Sequence, residues 1–307
     1  MPYAHFDALL ADVAPLDDIP VAVVDAAEEH VLRGACEARS QSIIEPILIG
    51  DAQQIRSLLL KMGHDSGSCP NFHIIHADSA EAAAEKGVEM VLAGEAKALM
   101  KGHLHSDAFL HPILAKLRTD RRLSHVFVAD IQTYPKLLLI TDAAINITPD
   151  LVTKAAILQN AIDLAHILEV AQPKAAILSA VEVVNPAIVS TVDAACLSKM
   201  AERGQITGAL VDGPLAFDNA ISKESAEIKG IQSAVAGDAD ILLVPDLVSG
   251  NILAKDLEYL AGATLAGIVM GAKVPVILTS RADPARARLV SAALAALVHY
   301  RRLEMPS

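Results

Sequence analysis

Tryptophan is absent from this 307-residue chain, and aromatic residues make up only 3% of it. Platforms on which nucleic-acid bases stack are therefore not expected. Basic residues are in deficit, with 25 Lys and Arg against 37 Asp and Glu and a formal charge of −12. That balance argues against bulk attraction to nucleic acid or to an anionic membrane, so an anionic ligand would need a local basic pocket. No apolar run approaches the roughly 18 residues of a membrane span. The start, Met1-Pro2-Tyr3-Ala4-His5, lacks the basic and apolar regions of a signal peptide. Cysteine is scarce and scattered, at Cys36, Cys69 and Cys196. That spacing suits neither a disulfide framework nor a cysteine zinc site, and fits a reducing cytoplasm. No Gly-x-Gly-x-x-Gly follows a strand, and neither a phosphate-binding P-loop nor a Gly-x-Ser-x-Gly elbow occurs. His103 and His105 alternate, but no third ligand lies nearby in the sequence, so no metal site is expected.

What is present is apolar and regular. Hydrophobic residues form 53% of the chain. Short Val/Ile/Leu-rich runs recur at Val21–Val24, Pro46–Ile49, Phe72–Ile75, Ala98–Lys101, His125–Val128 and Leu137–Thr141. They continue at Ala175–Leu178, Gly208–Val211, Ile241–Val244, Ala266–Met270 and Val274–Thr279. Most do not alternate with polar residues, as expected of strands buried on both faces. Helical patterns separate most of them; Leu151, Ala155, Leu158, Ile162 and Ala165 form one stripe. Thr148-Pro149 and Asn185-Pro186 read as helix starts, and Asp78 with Glu81 as a capping box. Repeated βα units predict an α/β fold with mostly parallel sheets covered by helices. The expected division places residues 1–148 and 271–307 in a first domain, which carries the Ser280-Arg281 pair, and 149–270 in a second.

The run Val276-Ile277-Leu278-Thr279-Ser280-Arg281-Ala282-Asp283-Pro284 is the most informative. A buried strand leads to Asp as N-cap and Pro at the first helical position. Ser280 and Arg281 then stand at the carboxyl end of a strand, facing a helix N-terminus, where α/β proteins bind ligands and anions are favoured. Arg can grip a phosphate with two hydrogen bonds. Four other strands end in polar residues: Lys101-Gly102-His103-Leu104-His105-Ser106-Asp107; Thr141-Asp142 with Asn146; Asp212-Gly213-Pro214 with Asp218-Asn219; and Pro245-Asp246 with Ser249-Gly250-Asn251 and Lys255. In a parallel sheet, strand ends of one sense share an edge, so these residues predict a crevice of cations, hydroxyls and carboxylates. Singly, Ser106, Asp107 and Asn251 read equally well as helix caps, Asp212-Gly213-Pro214 as a turn, and Lys101 and Lys255 as solvated charges.

Three runs match a known family in order and spacing. They are Val211-Asp212-Gly213-Pro214-Leu215-Ala216-Phe217-Asp218-Asn219-Ala220, the segment Ala239–Asn251, and Leu278-Thr279-Ser280-Arg281-Ala282-Asp283. They resemble the phosphate acetyltransferase/phosphate butyryltransferase family. Leu99-Met100-Lys101-Gly102 with Ser106-Asp107, and Ser124–Val128, look like its N-terminal half. The resemblance covers nearly the whole chain. The Thr-Ser-Arg-Ala-Asp wording is closer to the butyryltransferase branch, and is similar to variants that form the transferase part of bifunctional enoyl-CoA hydratase/phosphate acetyltransferases. The resemblance implies reversible conversion of acyl-CoA and inorganic phosphate into acyl phosphate and coenzyme A. It also implies an isopropylmalate-dehydrogenase-like fold of two α/β/α domains with a cleft between them, and a homodimer.

Two departures stand out. Acetyltransferases usually carry Arg in the helix after Lys101-Gly102, where this chain has Phe109-Leu110-His111-Pro112, and an Asp about seven residues past the motif Ser, where it has Ala287. The chemistry expected is a ternary complex without metal, cofactor or covalent intermediate; coenzyme A is a substrate. Ser280, Arg281 and Asp283 are the expected catalytic residues. Ser280 bonds the thiol or acyl oxygen, Arg281 holds phosphate and the developing oxyanion, and Asp283 or Asp142 is the base. Lys101, His105, Ser106, Asp142, Asp212, Asn251 and Lys255 are the expected substrate-binding residues. Two alternatives remain beside this reading. A NAD- and metal-dependent hydroxy-acid dehydrogenase of the same fold would need an Asp-x-x-x-Asp set that is not evident. An acyl-CoA- or phosphate-binding regulator without its base is kept open by Ala287 and His111.

Overall fold

The computed structural model describes residues 3–63, 72–280 and 283–304. Residue contacts divide the chain into two compact units. A terminal unit comprises Asp7–Arg121 and Ala266–Ser307, and a central unit comprises Met1–Phe6 and Arg122–Leu265. The chain opens with α1 (Phe6–Val13), β1 (Ile19–Val24), α2 (Glu29–Ser40), β2 (Ile44–Gly50) and α3 (Ala52–Lys61). It continues through β3 (His73–His76), α4 (Ala80–Leu92), β4 (Ala98–Lys101) and α5 (Ser106–Lys116). The central unit holds β5 (Ser124–Asp130), β6 (Leu138–Thr141), α6 (Leu151–Ile167), β7 (Lys174–Leu178), α7 (Val189–Glu202) and β8 (Leu210–Leu215). Then follow α8 (Phe217–Ile221), α9 (Lys223–Ile228), β9 (Ile241–Leu243) and α10 (Leu247–Tyr259). The chain returns to the terminal unit with β10 (Thr264–Met270), β11 (Val276–Ile277) and α11 (Ala285–Glu304).

Each apolar run read as a strand overlaps one of these strands. In the terminal unit their order is β3-β2-β1-β4-β11-β10. All neighbours there are parallel except β10, which runs against β11. In the central unit the order is β5-β6-β9-β7-β8, parallel except for β5. By contacts the first seam lies at Arg122, whereas the sequence division placed it after residue 148. The reason is pairing: β5 bonds to β6, and β6 bonds to β9, so both strands belong with the later ones.

The cores follow from the strand composition. In the terminal unit Val21, Val23, Leu48, Leu99, Met100 and Ile277 are buried, and Leu32, Phe109, Ile113, Val290 and Leu294 supply apolar helix faces. In the central unit Phe127, Leu138, Ile140, Ala176, Leu242, Val244 and Leu215 form one cluster. Each Val, Leu, Ile, Phe or Met side chain among them contributes about 1.5–3 kcal/mol on burial. Helix α6 is enclosed more widely than its expected stripe: Ile157, Ala161 and Leu164 are buried besides Leu158, Ile162 and Ala165.

Several helix starts shift by a few residues. Helix α6 is capped by Asp150, whose carboxylate accepts the Thr153 N–H, rather than starting at Thr148-Pro149. Helix α4 is capped by Ser79 through the Ala82 N–H, not by an Asp78 box. Asn185 turns the chain by accepting the Ala187 N–H at 3.0 Å, and α7 begins three residues beyond Pro186. The Asp212-Gly213-Pro214 segment lies inside β8, not beyond it. A proline without an N–H is tolerated there because β8 closes the strand order of its unit.

Candidate active site

In the terminal unit β1, β2, β3, β4 and β11 all run in one direction, so their carboxyl ends share an edge. Lys101 is the last residue of β4 and is 4% exposed. Beyond it the chain bends against β1: the Gly102 N–H donates to Val24 O at 2.8 Å and the His103 N–H to Asp25 O at 3.0 Å. Only glycine fits, because a Cβ at Gly102 would lie 2.2 Å from Asp25 O. The bend delivers the chain to α5, with His105 at its N-cap, making no side-chain cap bond, and a half-buried Ser106 at its first position. His103, His105 and His111 are exposed.

Strand β11 places the other half of this edge. Ile277 pairs with Met100, so Lys101 and Leu278 leave the sheet on adjacent strands, about 4.8 Å apart in the bonding direction. Leu278 and Thr279 are buried and Ser280 is half-buried. Arg281, with Ala282, lies outside the described residues. The expected cap moves: α11 begins at Ala285, and Pro284 O accepts the first helical N–H, from Ala287 at 3.0 Å. The Asp283 carboxylate instead turns back and accepts the Ser280 N–H at 2.7 Å. Arg288 binds the same segment, donating to Thr279 Oγ1 at 3.1 Å and to Ser280 O at 3.0 Å. Sequence reading missed Arg288, the second of two arginines, after Arg286, in the first turn of this helix and directly before the apolar Leu289 and Val290.

A cavity of about 330 Å³ at this edge is lined by Asp25, Glu28, Asp51, Asp78, Ser79 and His103 among others. Its carboxylates disfavour a phosphate.

The central unit gathers its candidates differently. Asp142 follows β6 and is 3% exposed. Its carboxylate accepts the N–H groups of Ala144 at 2.9 Å, Ile145 at 3.0 Å and Asn146 at 3.2 Å, and the Asn146 side-chain amide at 2.6 Å. Asn146 in turn accepts from Arg122 Nε at 2.9 Å and donates to Leu123 O at 3.0 Å. The acid is thus committed to shaping the 142–146 turn. Asn251 reaches the same turn, donating to Ala143 O at 3.4 Å. Lys255, one helical turn later, pairs with Glu258 at 2.7 Å and lies 5.5 Å from the Tyr259 ring centroid. Asp246 caps α10 through the Ser249 N–H at 2.8 Å. Asp212 stands apart: two strands, β9 and β7, lie between β6 and β8, which puts β8 three strand spacings away, roughly 14 Å. Its carboxylate accepts the adjacent Gly213 N–H at 2.8 Å. No described helix is long and apolar enough to cross a membrane. Among the described residues no group of three or more His, Cys, Asp or Glu is placed to hold a metal ion.

Comparison with known proteins gives this arrangement its family. The family model described as phosphate acetyl/butaryl transferase matches residues 72–296. A phosphate acetyltransferase of Rickettsia prowazekii is 52% identical over 299 residues, covering 96% of this chain and 84% of the relative. A phosphate butyryltransferase of Clostridium acetobutylicum is 42% identical over 296 residues, covering 95% of this chain and 97% of the relative. The solved phosphotransacetylase of Streptococcus pyogenes superposes with a TM-score of 0.80 at 26% identity, covering 96% of this chain and 98% of that one. The chain therefore belongs to the phosphate acetyl/butaryl transferase family and is a phosphate acyltransferase.

Proposed function

We propose that this enzyme moves a short acyl group, acetyl or butyryl, reversibly between coenzyme A and inorganic phosphate, with both substrates bound at once. The observation that carries the reading is the terminal-unit edge, where buried Lys101 ends the strand beside the one leading to Ser280. A phosphate oxygen attacks the thioester carbonyl carbon, the C–S bond breaks, and coenzyme A leaves as the thiolate. In reverse the thiol must first lose its proton; an ordinary thiol has a pKa of about 8.5. Lys101, and the α5 N-terminus with Ser106 and His105, are proposed to draw the phosphate. Arg281 is proposed to hold phosphate and the charge growing on the carbonyl oxygen, and Ser280 to bond the acyl oxygen or thiol. Asp283, held against the Ser280 N–H, is proposed to set that residue's backbone more than to move protons. Bringing both substrates together supplies much of the rate enhancement.

The relative named for acetyl transfer is more similar than the one named for butyryl transfer, against the branch suggested by the motif wording. Acetyl-CoA is therefore the proposed preferred donor. The reading extends to a homodimer acting in the cytoplasm with no resident cofactor. Exposed Val152, Val189, Val248 and Ile252 on α6, α7 and α10 support self-association. The test is release of free thiol from acetyl-, propionyl- and butyryl-CoA, with and without phosphate. Thiol release dependent on phosphate is expected, fastest with acetyl-CoA. No release with any of the three would reject the reading.

A further inference from the structure

The role of Arg288 lies deeper than the substrate contacts. It stands at the end of the first turn of α11 and is 2% exposed. Its aliphatic stem occupies a groove on α2 that exists because residue 34 is glycine: a Cβ there would come within 2.8 Å of Arg288 Cδ and 3.0 Å of its Cβ. The guanidinium at the end of that stem donates to Thr279 Oγ1 and to Ser280 O, at 3.1 and 3.0 Å. On the opposite side of the same residue, the Ser280 N–H donates to Asp283 Oδ2 at 2.7 Å. Both polar groups of the Ser280 backbone are thereby engaged, one by a cation and one by an anion. Burial pulls the guanidinium below its ordinary value, while Asp283 and Glu28 act in the opposite direction and favour its charge. An apolar side chain would fill the α2 groove without the cost of desolvating a charge. The position instead carries two donors aimed at the strand end.

We infer that Arg288 is a positioning residue for acyl transfer. It holds the Thr279–Ser280 backbone so that the Ser280 hydroxyl meets the reacting group in one orientation, without itself reaching substrate. The inference rests on the transferase reading and goes beyond it, because it assigns a task to a residue that the proposed chemistry does not use. Misplacement of a catalytic group by about 1 Å costs up to ~10²-fold in rate. Arg288→Met keeps most of the stem and removes both donors. It is expected to lower kcat roughly 10- to 100-fold while the KM values for acyl-CoA and phosphate stay nearly unchanged. Arg288→Lys, with one flexible cation in place of the fork, is expected to recover part of kcat. Amide hydrogen exchange at Ser280 supplies a readout independent of activity, and is expected to accelerate in Arg288→Met.

Wild-type kcat in Arg288→Met, or unchanged exchange at Ser280, would overturn the inference and leave the transferase reading standing. A wild-type chain that releases no coenzyme A would overturn that reading, and the catalytic task of Arg288 with it. Should Arg288→Met not fold, Arg288→Lys alone decides: full kcat overturns the inference, and a lowered kcat at constant KM with faster exchange supports it.

Discussion

The two units present polar groups at the carboxyl edges of similar parallel strands, yet use them differently. In the central unit the acids are consumed locally. Asp142 gathers four donors into one turn, Asp246 and Asp150 cap helices, and Asp212 holds its neighbour's amide. In the terminal unit the edge carries a buried lysine, a half-buried serine and a buried arginine that grips the serine's backbone. A similar strand-end composition thus yields framework in one unit and candidate chemistry in the other. What separates them is which polar groups the backbone amides engage. Buried N–H groups take the nearest acceptors, and short acidic side chains at strand exits are the nearest.

The sharpest way to break this contrast is Arg281→Gln. If the terminal edge carries the chemistry, kcat/KM should fall by about 10²-fold or more, the scale of a lost electrostatic contact in a closed site. Lysine should restore only part of it. Unchanged kinetics at low phosphate would remove Arg281 from the reaction.

Asp283→Asn sharpens the assignment within that edge. A positioning role predicts a loss of about tenfold near neutral pH that higher pH does not recover, below the 10²- to 10⁴-fold of a general base. Recovery of rate with rising pH would show that Asp283 moves the proton.

Asp142→Ala tests the central unit. Orphaning the amides of the 142–146 turn should lower unfolding stability by roughly 1–3 kcal/mol in denaturant titration, with Asn less severe. A stable variant that is catalytically dead would make Asp142 part of the chemistry and erase the contrast.

Lys255→Met should matter less. A partly exposed pair such as Lys255–Glu258 contributes about 0–1 kcal/mol. Its loss should lower unfolding stability by no more than ~1 kcal/mol and leave KM for acyl-CoA nearly unchanged. A larger rise in KM would return Lys255 to the substrate contacts.

The smallest effect concerns His299 on α11. Burial, and then Lys97, hold its imidazole below the ordinary value. The folded state therefore takes up a proton less readily than the unfolded one. Its contribution to stability is complete above the unfolded pKa of about 6.5 and is lost as pH falls toward the lowered folded value. His299→Gln should flatten the fall in Tm between about pH 7 and 5; an equally steep fall would place the acid sensitivity elsewhere.

Much of the architecture was legible in the residues, because strands buried on both faces write themselves as continuous Val/Ile/Leu runs. The polar strand ends, the Ser280-Arg281 motif and the family resemblance could also be read from the chain. Helix starts were legible only to within a few residues, since Asp, Ser and Asn near a start compete for the same amides. Asp150 displaced Thr148-Pro149 and Ser79 displaced Asp78 in this way.

The sequence by itself determined the α/β class, the order of strands along the chain and the kind of chemistry its motifs carry. Class and strand order depend on composition and period, which are local; the chemistry came with the family resemblance of its motifs. Only the tertiary structure decided that β5 and β6 belong with the central unit, that the Asp283 carboxylate accepts the Ser280 amide, and that Arg288 grips the other side of that residue. These outcomes depend on strand pairing and on which donors and acceptors burial brings within hydrogen-bond reach, and neither is encoded by any single stretch of the chain.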